Sequence, residues 1–174
     1  MDVLEAIKGR RSVRKYKYKE IDHDTLVKLL EAAQWAPSGG NRQPWRFIVV
    51  TDRRKIKMLK MSSPGFYGEE AALVLVICLD TESILNYDYD VALDLGMAAQ
   101  NIMLAAYALG LGSCAIASFI SRAVNRLLNV HDTFEVKLLI SIGYPVNTPK
   151  IPPRRSLSEL VYVNGCSTRW GEPE

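Results

Sequence analysis

The stretch Ala71–Leu79 reads AALVLVICL and is apolar along its whole length. It lacks the alternation of polar and apolar residues that is typical of a strand with one solvent-exposed face. It is also too short for a long helix, and its residues are partly β-branched. We therefore predict a central strand that is buried on both faces.

Further strands and helices are predicted on either side of this strand. Trp45–Val50 (WRFIVV) and Val136–Ile142 are predicted as strands, and Leu111–Phe119 as a partly β segment of small residues. Helices are predicted over residues 2–8, 22–36, 53–61, 91–109 and 121–129, with Gly9 as a left-handed C-cap and Gly110 as a stop. Strands and helices in these numbers predict an α/β or α+β sandwich.

The helix predicted over residues 91–109 is apolar almost all round. Such a helix lies either in the middle of a core or in an oligomer interface, and for a chain of this size we expect a homodimer. Asp90 and Asp94 lie one turn apart at its start, where carboxylates favour the helix dipole. We predict no further role for this pair of acids.

The bulk composition is that of an ordinary globular chain. Its 174 residues are 48% hydrophobic and 24% charged, so we predict one domain spanning residues 1–174. The formal net charge of +3 does not require a nucleic-acid partner. The N-terminus lacks the apolar run of a signal peptide and no unbroken apolar stretch is long enough for a membrane span, so we expect a cytoplasmic protein without a membrane partner. Cys78, Cys114 and Cys166 lie far apart, which indicates neither a disulfide framework nor a zinc site.

A cluster of arginines near the N-terminus is a candidate anion site. Arg10, Arg11 and Arg14 surround Ser12 directly after Gly9. Arginine suits phosphate because its planar guanidinium donates parallel charge-assisted hydrogen bonds and stays protonated. A solvated basic surface is the alternative interpretation of these residues.

The residue inventory argues against several familiar mechanisms. Only two histidines are present, His23 in a polar N-cap region and His131 in a loop, so both a two-histidine metal site and a Ser-His-Asp triad lack parts. Neither a phosphate-binding P-loop nor a dinucleotide-binding glycine motif occurs. What remains are the arginines near both ends of the sequence and a loop of small and amide residues, Pro37–Pro44. Together they suit a phosphorylated, planar cofactor that carries its own chemistry.

Five motifs, in order along nearly the whole chain, resemble the nitroreductase family of FMN enzymes. They are Arg10-Arg11-Ser12 with Arg14; Ala32-Ala33 followed by Ala36-Pro37-Ser38-Gly39-Gly40-Asn41-Arg42-Gln43-Pro44-Trp45; Gln100-Asn101 with Met103-Leu104-Ala105-Ala106; Gly110-Leu111-Gly112; and Gly143-Tyr144-Pro145 before an arginine pair. The second motif is the specific one. The resemblance implies an α+β fold with a central, mostly antiparallel sheet flanked by helices, and a homodimer with FMN at its interface.

The resemblance also implies which residues contact FMN. Phosphate and ribityl contacts fall on Arg10, Ser12 and Arg14, with Arg11, Arg154 and Arg155 completing the phosphate site. Pro37, Ser38, Gly39 and Asn41 would come from the partner subunit, Gln43 would reach the ribityl or ring region, and Ala117 and Ser118 would lie near the flavin ring. Residues 66–68 and 86–90 are expected near the pocket mouth. Lys150 is separated from the arginine pair by two prolines, so either Lys150 or the arginines could contact the phosphate.

The implied activity is transfer of hydride from NADH or NADPH to flavin, followed by reduction of a small-molecule acceptor such as a nitroaromatic or a quinone. The flavin would carry the chemistry, so no catalytic side chain and no metal are predicted. One alternative is a non-catalytic FMN store or sensor, and another is a specialised flavin-fragmenting or dehalogenating relative. A nucleic-acid module that uses residues 10–19 and 53–60 is the alternative from a different class. For Cys114 we favour a small buried hydrophobe over a redox role.

Overall fold

The computed structural model describes residues 2–66, 71–84 and 90–171. Its helices are α1 (Val3–Gly9), α2 (His23–Gln34), α3 (Arg53–Met61), α4 (Val91–Ala108), α5 (Ser121–Leu128) and α6 (Leu157–Leu160). Its strands are β1 (Trp45–Val50), β2 (Leu73–Asp80), β3 (Gly112–Ile116), β4 (Phe134–Gly143), β5 (Tyr162–Val163) and β6 (Thr168–Arg169). Short 3₁₀ turns occupy Gly39–Asn41 and Glu82–Ile84.

The main sheet has the order β1-β2-β4-β3, and each neighbouring pair is antiparallel. All residues of β2 are buried. Leu73, Leu75 and Ile77 face one core, whereas Val74 and Val76 face the other. The prediction of a central strand that is buried on both faces is therefore confirmed, and the fold is α+β with an antiparallel sheet between helices.

The two cores are covered by different helices. Side chains of α2 and α4 pack in the first core, and side chains of α3 and α5 pack in the second. Asp22 caps α2, because its side chain accepts from the Thr25 backbone N–H. By length and composition α4 could also cross a membrane, a test that core helices of soluble proteins pass too. It packs against α2 and buries seven residues, as a core helix does.

The prediction for Gly9 is wrong, whereas the one for Gly110 is confirmed. Gly9 is the last residue of α1 and is not left-handed, and Arg10 follows in an extended conformation. The reason for glycine here is space, since a Cβ on Gly9 would collide with the Tyr107 hydroxyl oxygen. Gly110 has φ +75° just after α4 and ends that helix.

The segment of residues 13–17 lies directly on the sheet. The Val13 backbone N–H donates to the Ser113 carbonyl at 2.9 Å, and Lys17 donates to the Tyr144 carbonyl at 2.7 Å. A Cβ on Gly112 would lie 2.6 Å from the Val13 Cβ. Only glycine allows this approach.

Tyr16 fastens the same segment to β4. Its hydroxyl oxygen lies 2.6 Å from the Val13 carbonyl oxygen, 3.0 Å from the Ser141 carbonyl oxygen and 2.9 Å from the Ser141 hydroxyl. Burial raises the pKa of the Tyr16 phenol above its ordinary value, so the hydroxyl keeps its proton and can donate it to a carbonyl.

Residues 150–171 lie mostly on the surface. All residues from 150 to 160 are exposed, including the short helix α6. Several large apolar side chains in this region are exposed, namely Ile151, Leu157, Leu160, Tyr162 and Trp170. An extended apolar segment of this kind is typical of a surface that a partner covers.

Tyr16→Phe should lower the free energy of unfolding by about 1–3 kcal/mol, because the buried Val13 and Ser141 carbonyl oxygens lose a donor. Chemical denaturation measures this loss. Tyr18→Phe is the matched control, since Tyr18 is 68% exposed and its ring stays against Arg53. The control should change by less than about 0.5 kcal/mol. Equal losses in the two variants would contradict the role of the Tyr16 hydroxyl.

Candidate anion and cofactor site

Arginines from the two ends of the sequence meet at one cavity. This cavity of about 280 Å³ is lined by Arg10, Arg11, Ser12, Arg14, Pro149, Lys150, Pro152 and Arg154. The predicted N-terminal cluster and Arg154 are thus brought together. Lys150 joins them, whereas Arg155 is exposed and is not among the lining residues.

The cavity has a strongly positive lining. Among the described residues, no carboxylate lies within ion-pair distance of its arginines or of Lys150. The ε nitrogens of Arg10 and Arg11 are buried without a hydrogen-bond partner. Buried donors without an acceptor are costly, and like charges in one cavity repel each other. A polyanion such as phosphate fits this site because it would satisfy the donors and neutralise the charge.

The arginines of the cluster differ in what they contact. The Arg11 guanidinium donates to the Lys8 and Arg10 carbonyl oxygens and so caps the end of α1. Arg14 is exposed, and its guanidinium donates a long 3.4 Å bond to the Ser12 carbonyl. Arg10 lies 4.0 Å from the Met103 sulfur on α4. Arg10 and Arg14 therefore have more donors to spare for an anion than Arg11 has.

The loop between α2 and β1 has a special backbone. Asn41 and Gln43 have φ values of +55° and +51°, and Gly40 lies between Gly39 and Asn41 with φ +58°. Local hydrogen bonds hold this shape, since the Ser38 hydroxyl accepts from the Gln43 N–H at 3.0 Å. The Asn41 and Gln43 side chains are exposed. Pro37, Ser38, Gly39, Asn41 and Gln43 are not among the lining residues of the arginine cavity of their own chain.

Asp94 takes part in this loop, which the sequence reasoning missed. It is 4% exposed, and its carboxylate oxygens lie 3.2 and 3.3 Å from the Gly39 backbone nitrogen. A helix-start role alone is therefore the wrong interpretation. The sequence did contain a signal, because Asp94 heads a buried stripe at i, i+4 spacing that continues with Ala98 and Ile102.

The predicted ring segment follows β3. Ala117 and Ser118 are both exposed. A Cβ on Gly65 would lie 3.2 Å from the Ser118 Cβ, and the Ile120 N–H donates to the Ser62 carbonyl at 2.8 Å. The turn after α3 therefore supports this segment. Of the expected pocket-mouth residues, 67–68 and 86–89 lie outside the described residues.

Cys114 lies next to the arginine segment and is buried. Burial raises the pKa of its thiol, and the Arg14 charge opposes this shift only partly. Such a thiol is protonated at neutral pH and suits a packing role. No cluster of three potential metal ligands occurs in the described parts of the chain.

A comparison of the sequence with models of known protein families identifies the family of this chain. The model of the nitroreductase family matches residues 7–82 and 68–144. The chain belongs to the nitroreductase family.

The chain is similar to several members of the family over most of their length. A protein of Archaeoglobus fulgidus, named an NADH dehydrogenase/NAD(P)H nitroreductase, is 38% identical over 152 residues, which cover 83% of this chain and 86% of the relative. The solved structure of an FMN-dependent nitroreductase from Clostridium difficile is 33% identical with a TM-score of 0.83, covering 94% and 99% of the two chains. The NADPH:FMN oxidoreductase of Vibrio harveyi, solved with NAD⁺, is 28% identical with a TM-score of 0.84, covering 95% and 78%.

Thiol accessibility tests the burial of the cysteines. At pH 8 a thiol reagent should modify Cys166 of the native protein quickly, because Cys166 is exposed. Cys78 and Cys114 should react only after denaturation, since burial raises the pKa of Cys78 to about 11 and also raises that of Cys114. Cys166→Ser removes the fast thiol and is the control. Fast modification of Cys114 in that variant would contradict the buried assignment.

Proposed function

We propose that this nitroreductase-family protein is an FMN-dependent NAD(P)H oxidoreductase, a single domain of residues 1–174 that acts as a homodimer in the cytoplasm. The observation that carries the proposal is the cavity where Arg10 and Arg14 meet Arg154 and Lys150. This lining suits the phosphate of FMN. The similar proteins named for FMN, NADH and NADPH support the same assignment.

The proposed FMN contacts divide into three groups. The residues proposed to contact the phosphate are Arg10, Arg11, Ser12, Arg14, Arg154 and Arg155, with Lys150 added on the geometry of the cavity. The loop group consists of Pro37, Ser38, Gly39, Asn41 and Gln43, and the ring group of Ala117 and Ser118. Because Arg11 also caps α1, its backbone and its ε nitrogen are the parts most suited to the phosphate.

A homodimer explains two features of the single chain. First, the loop group does not line the arginine cavity of its own chain, so the loop of a second copy is needed to complete the site. Second, large apolar side chains are exposed on α1, on α4 and along the C-terminal segment, for example Leu4, Leu93 and Leu157. Burying them between two copies would be favourable.

The residues of the chain would bind and orient FMN. Bound FMN would supply the redox chemistry by accepting hydride from NADH or NADPH and reducing a nitroaromatic, quinone or similar acceptor. The arginine cavity would fix the phosphate end of the cofactor. The backbone N–H groups of Ala117 and Ser118 would act at the ring end, where fixed donors favour developing negative charge. Donor and acceptor would use the same cleft in turn.

The visible absorbance spectrum tests this function. The purified protein should show the two flavin bands, either as isolated or after addition of FMN, and NADH or NADPH should bleach them in the absence of oxygen. A nitroaromatic or a quinone should then restore them. A flavin-loaded protein that neither donor bleaches would indicate an FMN store or sensor. A protein that does not take up FMN would overturn the proposal.

Arg14→Ala should raise the dissociation constant for FMN by about tenfold to 100-fold, because a charge-assisted hydrogen bond to phosphate is lost. Fluorescence titration of the apoprotein measures the constant. Arg54→Ala is the matched control, since Arg54 is an exposed arginine on α3 and is not among the lining residues of the cavity. Unchanged FMN affinity in Arg14→Ala would refute the phosphate assignment.

A further inference from the structure

One buried carboxylate joins the core helix α4 to the loop between α2 and β1. Asp94 lies in the first turn of α4, and its two oxygens lie 3.2 and 3.3 Å from the Gly39 backbone nitrogen. Asp94 is 4% exposed. The N–H of Gly39 therefore donates to a carboxyl group away from bulk water, where a hydrogen bond is stronger than in solvent.

The peptide groups of Gly39 are held from two directions. Its N–H donates to Asp94, and its carbonyl oxygen accepts from the Arg42 guanidinium at 2.8 Å. The loop needs such support, because Asn41 and Gln43 have positive φ values that L-residues rarely adopt. Backbone of this kind persists only where its surroundings determine it. Asp94 supplies a contact that reaches from the loop to α4.

The helix that carries Asp94 is packed firmly in the core. Ala98, Ile102 and Ala106 follow Asp94 at i+4 spacing, and all three are fully buried in the core. The position of the Asp94 carboxylate is thus set by core packing. The hydrogen bond to Gly39 therefore ties the loop to a helix that is anchored in the core.

We infer that Asp94 is a positioning residue for the flavin site: it holds the Ser38–Asn41 loop in the conformation that contacts FMN. This inference rests on the proposed function, because it assigns the loop to the cofactor. It makes no claim that Asp94 touches FMN or the reacting atoms. The same carboxylate would couple α4, with its exposed Leu93 and Met97, to the loop that completes the site.

The test measures FMN affinity and loop order in two variants of the full chain. Asp94→Asn keeps the shape and one acceptor oxygen but replaces the second oxygen with an NH₂ group, and Asp94→Ala loses the acceptor altogether. We expect the dissociation constant for FMN to rise severalfold in Asp94→Asn and by about tenfold or more in Asp94→Ala, since small misplacement of binding groups is costly. Amide hydrogen exchange of residues 37–44 in the apoprotein should quicken in the same order, while exchange of residues 98–106 stays slow.

Asp52→Ala is the matched control. Asp52 is also a carboxylate at the start of a helix, and it accepts from the backbone N–H groups of Arg54 and Lys55. It caps α3, which packs in the other core. Its loss should therefore reduce stability without changing the dissociation constant for FMN or the exchange of residues 37–44.

The outcomes distinguish failure of the proposed function from failure of the role inferred for Asp94. Wild-type protein that fails to bind FMN would overturn the proposed function, while the exchange measurement would still report on the Asp94 contact. FMN binding with equal affinity by the wild type and Asp94→Asn, or by the wild type and Asp94→Ala, would overturn the inference. An equal loss of affinity in Asp52→Ala would also overturn it, because the effect would then be general destabilisation.

Discussion

The close approach of one backbone segment to the ends of two strands determines where the arginines lie. Val13 packs on Gly112 at the start of β3, and Tyr16 packs on Gly143 at the end of β4. Both side chains are buried in the core on that side of the sheet. Because Val13 and Tyr16 point inward, the arginines beside them are left at the rim of the sheet. The cation cluster is therefore a consequence of core packing and not of attraction between its members.

The positive charge at the arginine cavity requires a negative counter-charge that the described residues do not supply. The cations at the cavity repel one another, and no carboxylate of the described chain neutralises them. The free energy to hold them together comes from the hydrophobic core beneath and from glycine positions that admit close contact. A site assembled in this way is suited to an anion, because an anion would reduce the repulsion between the cations.

The helix α4 connects the elements of the proposed site. Its buried stripe anchors it in the core, and its end at Gly110 leads into β3. Its start carries Asp94, and Met103 lies beside Arg10. One helix thus borders the arginine cluster, the loop after α2 and the apolar surface that a second copy would cover. Its all-round apolar sequence reflects both roles, since one side faces the core and residues such as Leu93 remain exposed.

Local patterns determined much of the fold. The unbroken apolar run predicted β2 as a central strand, and the helix predicted over residues 53–61 has the observed bounds of α3. Periodicity and capping residues suffice there because they act within a few residues of the chain. The family was likewise indicated by motifs that are short and contiguous.

Long-range contacts were decided only by the tertiary structure. The reason for glycine at position 9 is the Tyr107 hydroxyl, which lies far along the sequence. Asp94 looked like an ordinary helix-start acid until the fold buried it against Gly39, and Lys150 joined the arginines only when the chain ends met. The sequence determines which chemical groups are present and how they are spaced along the chain. Which distant groups become neighbours depends on packing, because the same charge or hydroxyl gains its partner only when the cores have formed.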